Sequence, residues 1–143
     1  MNIKQISVFL ENRPGRLSAP CEALAAAGVN IRTLSLADTE RFGILRLIVQ
    51  DWERARDALE RAGLVVHLTD VLAIEAADQP GGLLEILKAV EHSGANIEYM
   101  YAFALRRGDR AVFVLRFSDP AKGIAALQEA GVNVLQSAEF FAD

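Results

Sequence analysis

The residues best suited to chemistry in this sequence lie in one short turn, Glu11–Leu17, between a predicted strand and a predicted helix. Backbone N–H groups at the start of a helix have no partner within it, and with the helix dipole they attract a carboxylate. Gly15 allows close approach to the backbone, Pro14 stiffens the turn, and the Asn12 amide both donates and accepts hydrogen bonds. The turn is a candidate binding site for a small zwitterion, and it contains no evident catalytic group.

The turn belongs to an internal duplication. The segments 13–17 and 28–31 recur as 79–83 and 94–97, each 66 residues later. Further along each copy the displacement becomes 68, so the second copy contains about two extra residues. A duplication of this kind predicts two similar small domains, and the boundary between domains is a common place for a ligand site.

Two interpretations of the repeated turn stay open. A Pro-Gly pair before a helix is common turn chemistry, and an asparagine after glycine commonly ends a helix, so both features are accounted for by structure alone. The binding interpretation gains support because the turn recurs together with Asn30 or Asn96 at the first position of the next predicted strand.

Each half of the chain has the same predicted order of elements: strand, helix, strand, strand, helix, strand. Alternating apolar residues predict the strands, helical spacing predicts the helices, and Gly28 and Gly94 are placed to end the first helix of each copy. The last strands are predicted at 64–68 and 132–137. This order is the α+β, ferredoxin-like βαββαβ arrangement, with an antiparallel sheet and both helices on one face.

The duplication also sets the predicted domain organisation. We expect two domains, residues 1–68 and 69–143, joined by Thr69–Asp70, a link too short for a flexible tether. The central hairpins are predicted to turn at 38–41 and 106–110, and the two extra residues of the second copy fall in the second hairpin.

The composition excludes several classes of partner. The chain has 15 basic and 19 acidic residues and a net charge of -4, with no basic stripe, so we expect no nucleic-acid partner. No apolar run has the length of a membrane-spanning helix and no secretory leader is evident, so we expect no membrane partner and a cytoplasmic location. The 52% hydrophobic content is more than two such small domains can bury separately, so we expect the halves to pack together and the chain to form a homodimer.

Other reactive side chains show no catalytic or metal-binding arrangement. His67 on a predicted strand and His92 near a helix end have no Asp, Glu or Cys at metal-ligand spacing. Cys21 falls on the apolar stripe of the first helix, as a small buried side chain would. We expect no catalytic residue, no metal site and no cofactor.

The turn, the glycine–asparagine step and the βαββαβ order together resemble the ACT domain family. One match runs through 12–17 and 28–31, and a looser one through 78–83 and 94–97, so the resemblance covers nearly the whole chain. It implies a regulatory module that binds a small ligand, usually an amino acid, where two such domains meet. Most ACT domains are attached to an enzyme or a DNA-binding domain, whereas this chain resembles a free-standing tandem ACT protein, with a regulated enzyme as a candidate partner.

The resemblance also assigns ligand contacts to the turn of one domain and to the strand and helix of a neighbouring domain. In the first copy these contacts are Asn12, Arg13, Pro14, Gly15, Arg16, Leu17, Asn30 and Ile31. In the second copy they are Asp78, Gln79, Pro80, Gly81, Gly82, Leu83, Asn96 and Ile97. Because the carboxylate of Asp78 repels a ligand carboxylate where the amide of Asn12 can bind one, we expect one class of occupied site per chain, at the Asn12 turn.

The favoured function is therefore a non-catalytic sensor in which a bound amino acid shifts the population of assembled forms. A ligand-free scaffold for dimerisation or protein docking would share every feature except a functional turn. A hydrolase of the acylphosphatase type needs a phosphate-cradling loop with its own arginine, and the sequence contains no such loop and no P-loop. The aromatic stripe Tyr99, Tyr101 and Phe103 suggests a nucleobase platform, which the acidic composition disfavours.

Overall fold

The computed structural model describes residues 2–38, 41–103 and 107–142. Parts of both predicted hairpin tips, Thr39, Glu40 and Arg106, lie outside the described residues. The chain forms two compact units, one of residues 4–69 and one of residues 70–143 with the first residues of the chain.

The unit of residues 4–69 has the predicted sequence of elements. They are β1 (Ile3–Glu11), α1 (Ser18–Ala26), β2 (Thr33–Asp38), β3 (Phe42–Ile48), α2 (Trp52–Arg61) and the first part of β4 (Val65–Ala77). Their strands are ordered β2-β3-β1-β4, and β3 is antiparallel to both β1 and β2. The alternation of apolar side chains along the strands decides the register of β1 against β3. Ile6 and Val8 pair with Leu47 and Leu45, and all four side chains are buried in the core.

Helix α1 begins and ends as its residue types dictate. Pro20 is the third residue of the helix, where its missing N–H is one that would have no intrahelical partner. At the other end Gly28 adopts a φ of 70°, and the Val29 N–H donates to the Leu24 carbonyl at 2.9 Å. This left-handed cap, and the same cap at Gly94 with a φ of 80°, confirm the predicted helix ends.

The unit of residues 70–143 repeats the arrangement with one departure. It contains the second part of β4, α3 (Gly82–Ser93), β5 (Ile97–Ala102), β6 (Arg110–Phe117), α4 (Pro120–Glu129) and α5 (Ser137–Phe140). Its strands are ordered β4-β6-β5, with β6 antiparallel to both neighbours. Leu72 and Ile74 of β4 and Leu115 and Phe117 of β6 form the core beneath α3 and α4. The α+β, ferredoxin-like fold predicted for the halves is confirmed.

The strand predicted at 132–137 is wrong. Within residues 132–137, all of which the structure describes, a single isolated β-bridge forms, between Val134 and Ile74, and the chain turns into α5 at Ser137. A capping box between Gln136 and Glu139 starts this helix by satisfying backbone N–H groups at its N-terminus. Phe140 is buried, and its ring centroid lies 4.9 Å from that of Phe103. This burial holds α5 against the rest of the unit of residues 70–143.

The predicted link Thr69–Asp70 is not a loop. Strand β4 runs without interruption from Val65 to Ala77, so one strand is the last of the first half and the first of the second.

Among the described residues no helix is both long and apolar enough to cross a bilayer.

Candidate functional site

The first turn leads from β1 to α1, and residues 11–18 are all exposed. Three of its backbone donors are satisfied within the chain. The N–H groups of Asn12, Arg13 and Arg16 donate to the carbonyls of Arg41, Glu11 and Arg13 at 2.9, 3.0 and 3.3 Å. The bond from Asn12 ties the turn to the β2–β3 hairpin, the other two lie within the turn, and together they leave fewer donors for a ligand than the sequence suggests.

The donors that remain are few and close together in the chain. Within the described residues, the N–H groups of Gly15 and Leu17 donate to no acceptor, and the Asn12 side chain makes no hydrogen bond. The Ser18 hydroxyl donates to the Gly15 carbonyl at 3.2 Å, which holds the turn in place while Gly15 has a φ of 86°. Two peptide N–H groups and one carboxamide can together bind a small carboxylate.

A charged pair flanks the Asn12 turn. The Arg13 Nε lies 2.8 Å from Glu11 Oε2, and the two side chains are 55% and 57% exposed. Because a pair this exposed is held only loosely, the Arg13 guanidinium is available to a ligand carboxylate at small cost.

The second turn is built differently. Gly82 is the first residue of α3, whereas the matching Arg16 lies two residues before α1 begins. A Cβ atom at Gly82 would be 2.0 Å from the Ala77 carbonyl oxygen, so the helix start packs directly on the end of β4. Gly81, with a φ of 83°, closes the turn. This turn has no side chain at the position of Arg16, and at Gly82 there is no room for one between the helix and the Ala77 carbonyl.

The asparagines of the two copies also differ. Asn96 Nδ2 donates to the Ser118 hydroxyl at 2.9 Å, so this side chain serves the structure of its own unit. Asn30 is exposed, and within the described residues its side chain makes no hydrogen bond. Ile31 and Ile97 are half-buried and pack against the cores of their units.

The structure does not bring Asn12 and Asn30 together. They lie beyond opposite ends of α1, which has nine residues. At 1.5 Å per residue the helix alone separates them by about 13 Å. A small ligand at the Asn12 turn therefore cannot reach Asn30 of the same unit.

The remaining candidates have structural surroundings. The His67 ring packs edge-on against Phe9 with centroids 5.2 Å apart, and His92 is exposed in the last turn of α3. Cys21 is half-buried on α1. Within the part of the chain that the structure describes, no group of three or more His, Cys, Asp or Glu side chains could hold a metal ion.

The unit of residues 70–143 contains a cavity that the sequence did not indicate. It encloses about 420 Å³ beside the start of α3, and its charged and amide side chains are Glu75, Glu85, Arg110 and Asn133. These residues come from four separate segments, and each alone resembles an ordinary solvated side chain. Only the fold shows that they share one space.

Comparison with known proteins identifies the family. The sequence model of the ACT domain pair matches residues 1–142. The crystal structure of protein BT0572 from Bacteroides thetaiotaomicron is 38% identical to this chain and superposes with a TM-score of 0.92, covering 100% of this chain and 98% of that one. No curated protein sequence matches the chain.

Two more distant structures share the fold. The regulatory subunit of aspartate kinase from Thermus thermophilus, in its ligand-free form, is 18% identical with a TM-score of 0.64, over 91% of this chain and 93% of that one. The corresponding subunit from Thermus flavus is 20% identical with a TM-score of 0.62, over 92% and 94%. From the family match and the repeated fold, this chain belongs to the family of ACT domain pairs.

Proposed function

We propose that this chain is a non-catalytic regulatory protein that binds a small amino acid at the Asn12 turn. The observation that carries the proposal is the set of donors left open there. The Gly15 and Leu17 N–H groups and the Asn12 carboxamide have no acceptor within the described residues. They would receive the ligand carboxylate, and Arg13 adds a nearby positive charge.

The other side of the site comes from a neighbouring ACT domain. Asn30 and Ile31 lie at the far end of α1 from the turn, so the same unit cannot supply them to one ligand. We propose that a second copy of the chain places its Asn30 and Ile31 against the Asn12 turn, which makes the homodimer the binding form. The exposed Asn30 carboxamide would then accept from the ligand ammonium group.

Exposed apolar side chains in the first half support a dimer. Phe9, Leu34, Leu36, Phe42 and Val65 are each between 42% and 59% exposed. Apolar side chains that remain exposed in this number favour contact with another protein surface.

The second turn is not a ligand site of the same kind in this proposal. Gly82 packs on the Ala77 carbonyl, Asn96 is bonded to Ser118, and Asp78 would repel a carboxylate. Of the two proposed ACT domains, residues 1–68 and 69–143, the first therefore senses the ligand. This leaves one class of occupied site per chain.

Regulation would follow from differential affinity. A ligand that binds only when two domains face each other shifts the population toward that assembly. The two Thermus structures are regulatory subunits of aspartate kinase, and we propose that this chain likewise acts on a partner enzyme in the cytoplasm.

A thermal-shift screen of the twenty amino acids tests the proposal. A ligand at 100 times its dissociation constant adds about 2.7 kcal/mol to the free energy of unfolding, which is a clear shift for a chain of this size. Size-exclusion chromatography with light scattering, with and without the amino acid that responds, then measures the change in assembly. No shift with any of the twenty favours the ligand-free scaffold, for which the exposed apolar surface alone is sufficient.

A further inference from the structure

An open groove of about 510 Å³ lies between α3 and α4 in the unit of residues 70–143. Its lining runs from the buried Ala126 and the half-buried Ala89 to the exposed side chains of Lys88, His92 and Glu129. All of these residues belong to the two helices. The groove is therefore a surface that the helix pair presents to its surroundings.

Two opposite charges of this groove have no partner in the chain. Among the residues that the structure describes, the Lys88 ammonium and the Glu129 carboxylate form no ion pair and no hydrogen bond, although both line the same groove. Opposite charges at the border of a surface can be matched by a complementary surface of another protein.

The first half of the chain contains a helix pair that matches this one residue by residue. Helix α2 (Trp52–Arg61) becomes α4 (Pro120–Glu129) when it is displaced by 68 residues. The buried positions correspond as well, since Leu59 is repeated as Leu127 and Leu24 stands where Val90 does. Residues that share a repeat position therefore face the same way on the two helix pairs.

The charges at the two groove positions are reversed between the halves. By the repeat displacement, Glu22 stands where Lys88 does and Arg61 stands where Glu129 does. Glu22 and Arg61 are also exposed, and within the described residues neither forms an ion pair or a hydrogen bond. The helix face of the first half thus has the charge pattern of the second half with both signs inverted.

The rest of the helix face in the first half consists of small side chains. The residues that match the remaining lining of the groove are all alanines: Ala23, Ala26, Ala27, Ala58 and Ala62. Small side chains on a helix surface allow a second helix to approach closely.

We infer that the α1–α2 face of one copy docks on the α3–α4 groove of a second copy of this chain. Glu22 pairs with Lys88 of the second copy, and Arg61 pairs with its Glu129. All four side chains are exposed when the whole chain is present, so neither face is covered within one copy. A second copy supplies the matching face without any other protein.

The charges also select the orientation of this contact. When α1 lies over α3 and α2 over α4, every facing pair has opposite signs. When α1 lies over α4 instead, Glu22 faces Glu129 and Arg61 faces Lys88. Like charges brought together at an interface cost several kcal/mol, so only the first orientation is stable.

The contact is separate from the one proposed at the Asn12 turn. It uses the outer faces of the helices, whereas the amino-acid site uses the loop before α1 and the residues after it. The change Asn12→Ala should therefore leave this contact intact, so that failure of either proposal can be recognised by itself.

Charge reversal followed by mixing tests the inference on the full chain. Glu22→Lys and Lys88→Glu are prepared separately, and association is measured by sedimentation velocity without added amino acid. Each variant alone brings like charges together and should associate at least about tenfold more weakly than the parent. An equimolar mixture of the two variants restores opposite charges at both contacts and should associate as the parent does.

Two controls separate this pairing from a general effect of charge. A chain that contains both changes has the net charge of the parent and should associate like it. Glu91→Lys makes the same charge change as Glu22→Lys at a residue of α3 outside the groove lining, and it should have no effect. Association of the parent should weaken as the salt concentration rises toward about 1 M.

The inference is wrong if the parent stays monomeric, or if either variant alone associates as strongly as the parent. It is also wrong if the mixture associates as weakly as its separate components. That result would follow if each contact joined two identical faces, because mixing could not then restore the opposite charges.

Discussion

Phe117 lies so close to Gly123 that a Cβ atom at position 123 would come within 2.4 Å of the aromatic ring. The corresponding residues of the first half are Val49 and Ala55, both buried. The two halves thus fill the same place beneath their second helices with complementary pairs, a large residue with glycine and a smaller one with alanine. A change at position 123 therefore affects the packing of residue 117.

The first prediction is that Gly123→Ala destabilises the protein, although alanine is the better helix former. The added methyl group displaces the buried Phe117 ring at a cost of about 1 to 3 kcal/mol. Replacing both residues by the pair of the first half, Phe117→Val with Gly123→Ala, should recover much of the loss relative to the sum of the single changes. Urea denaturation of the three variants measures the coupling, and a Gly123→Ala variant more stable than the parent would contradict the packing described.

The second prediction separates backbone conformation from packing at the second turn. Gly81→Ala meets no atom within 4 Å but has a φ of 83°, so it should cost about 1 to 2 kcal/mol from left-handed strain. Gly82→Ala meets the Ala77 carbonyl and should cost more, about 3 kcal/mol. Thermal unfolding of both variants gives the comparison, and an equal effect of the two would show that helix α3 does not press on the end of β4.

The third prediction concerns the attachment of α5. The Arg107 guanidinium donates to the half-buried Glu75 carboxylate, and it also donates to the Glu139 carbonyl at 2.9 Å. Arg107→Gln should cost about 2 kcal/mol, because it leaves the Glu75 carboxylate, 12% exposed, without its cation. Hydrogen exchange at the amides of Phe140 and Phe141 should become faster.

A matched control exists in the first half. Arg54 also binds a carboxylate, that of Asp51 at 2.9 Å, and a backbone carbonyl, that of Ala27 at 3.2 Å, but its pair is about half exposed. Arg54→Gln should therefore cost less than about 1 kcal/mol. If the two arginine variants lose the same free energy of unfolding, the burial of Glu75 does not increase the cost of removing its cation.

Much of the fold could be predicted because the signals are local. Alternating apolar residues decided the strands, and Gly28 and Gly94 ended the helices where their positive φ angles show. The final strand failed because residues 132–137 have an extended pattern, whereas the capping box at Gln136 and the burial of Phe140 favour a helix. Burial against Phe103 is a long-range contact that no local pattern contains.

The candidate site was predicted less completely than the fold. The sequence indicated the Asn12 turn as a candidate, but it could not show that the Asn12 N–H donates to the Arg41 carbonyl, which lies in the β2–β3 hairpin. It also could not show that α1 separates Asn12 from Asn30, because the spacing along a motif says nothing about which end of a helix a residue occupies. Both facts depend on the three-dimensional fold and cannot be read from a local motif.

The fourth prediction compares the two asparagines. Asn12→Ala should weaken binding of the cognate amino acid by about 1 to 3 kcal/mol and leave the unfolding temperature unchanged, because the side chain is exposed and makes no internal hydrogen bond. Asn96→Ala should do the reverse: it removes the bond to Ser118 and costs about 1 kcal/mol of stability, without effect on binding. If Asn96→Ala lowers the ligand affinity as strongly as Asn12→Ala does, the site lies in the second copy and the account is wrong.

The most direct test is isothermal titration calorimetry of the full chain with the amino acid that gives the largest thermal shift, before and after the change Asn12→Ala. We expect one class of α-amino-acid site, one per chain, with an affinity that falls in the variant by about tenfold or more. Two equal and independent sites per chain, or an affinity that Asn12→Ala leaves unchanged, would contradict the account.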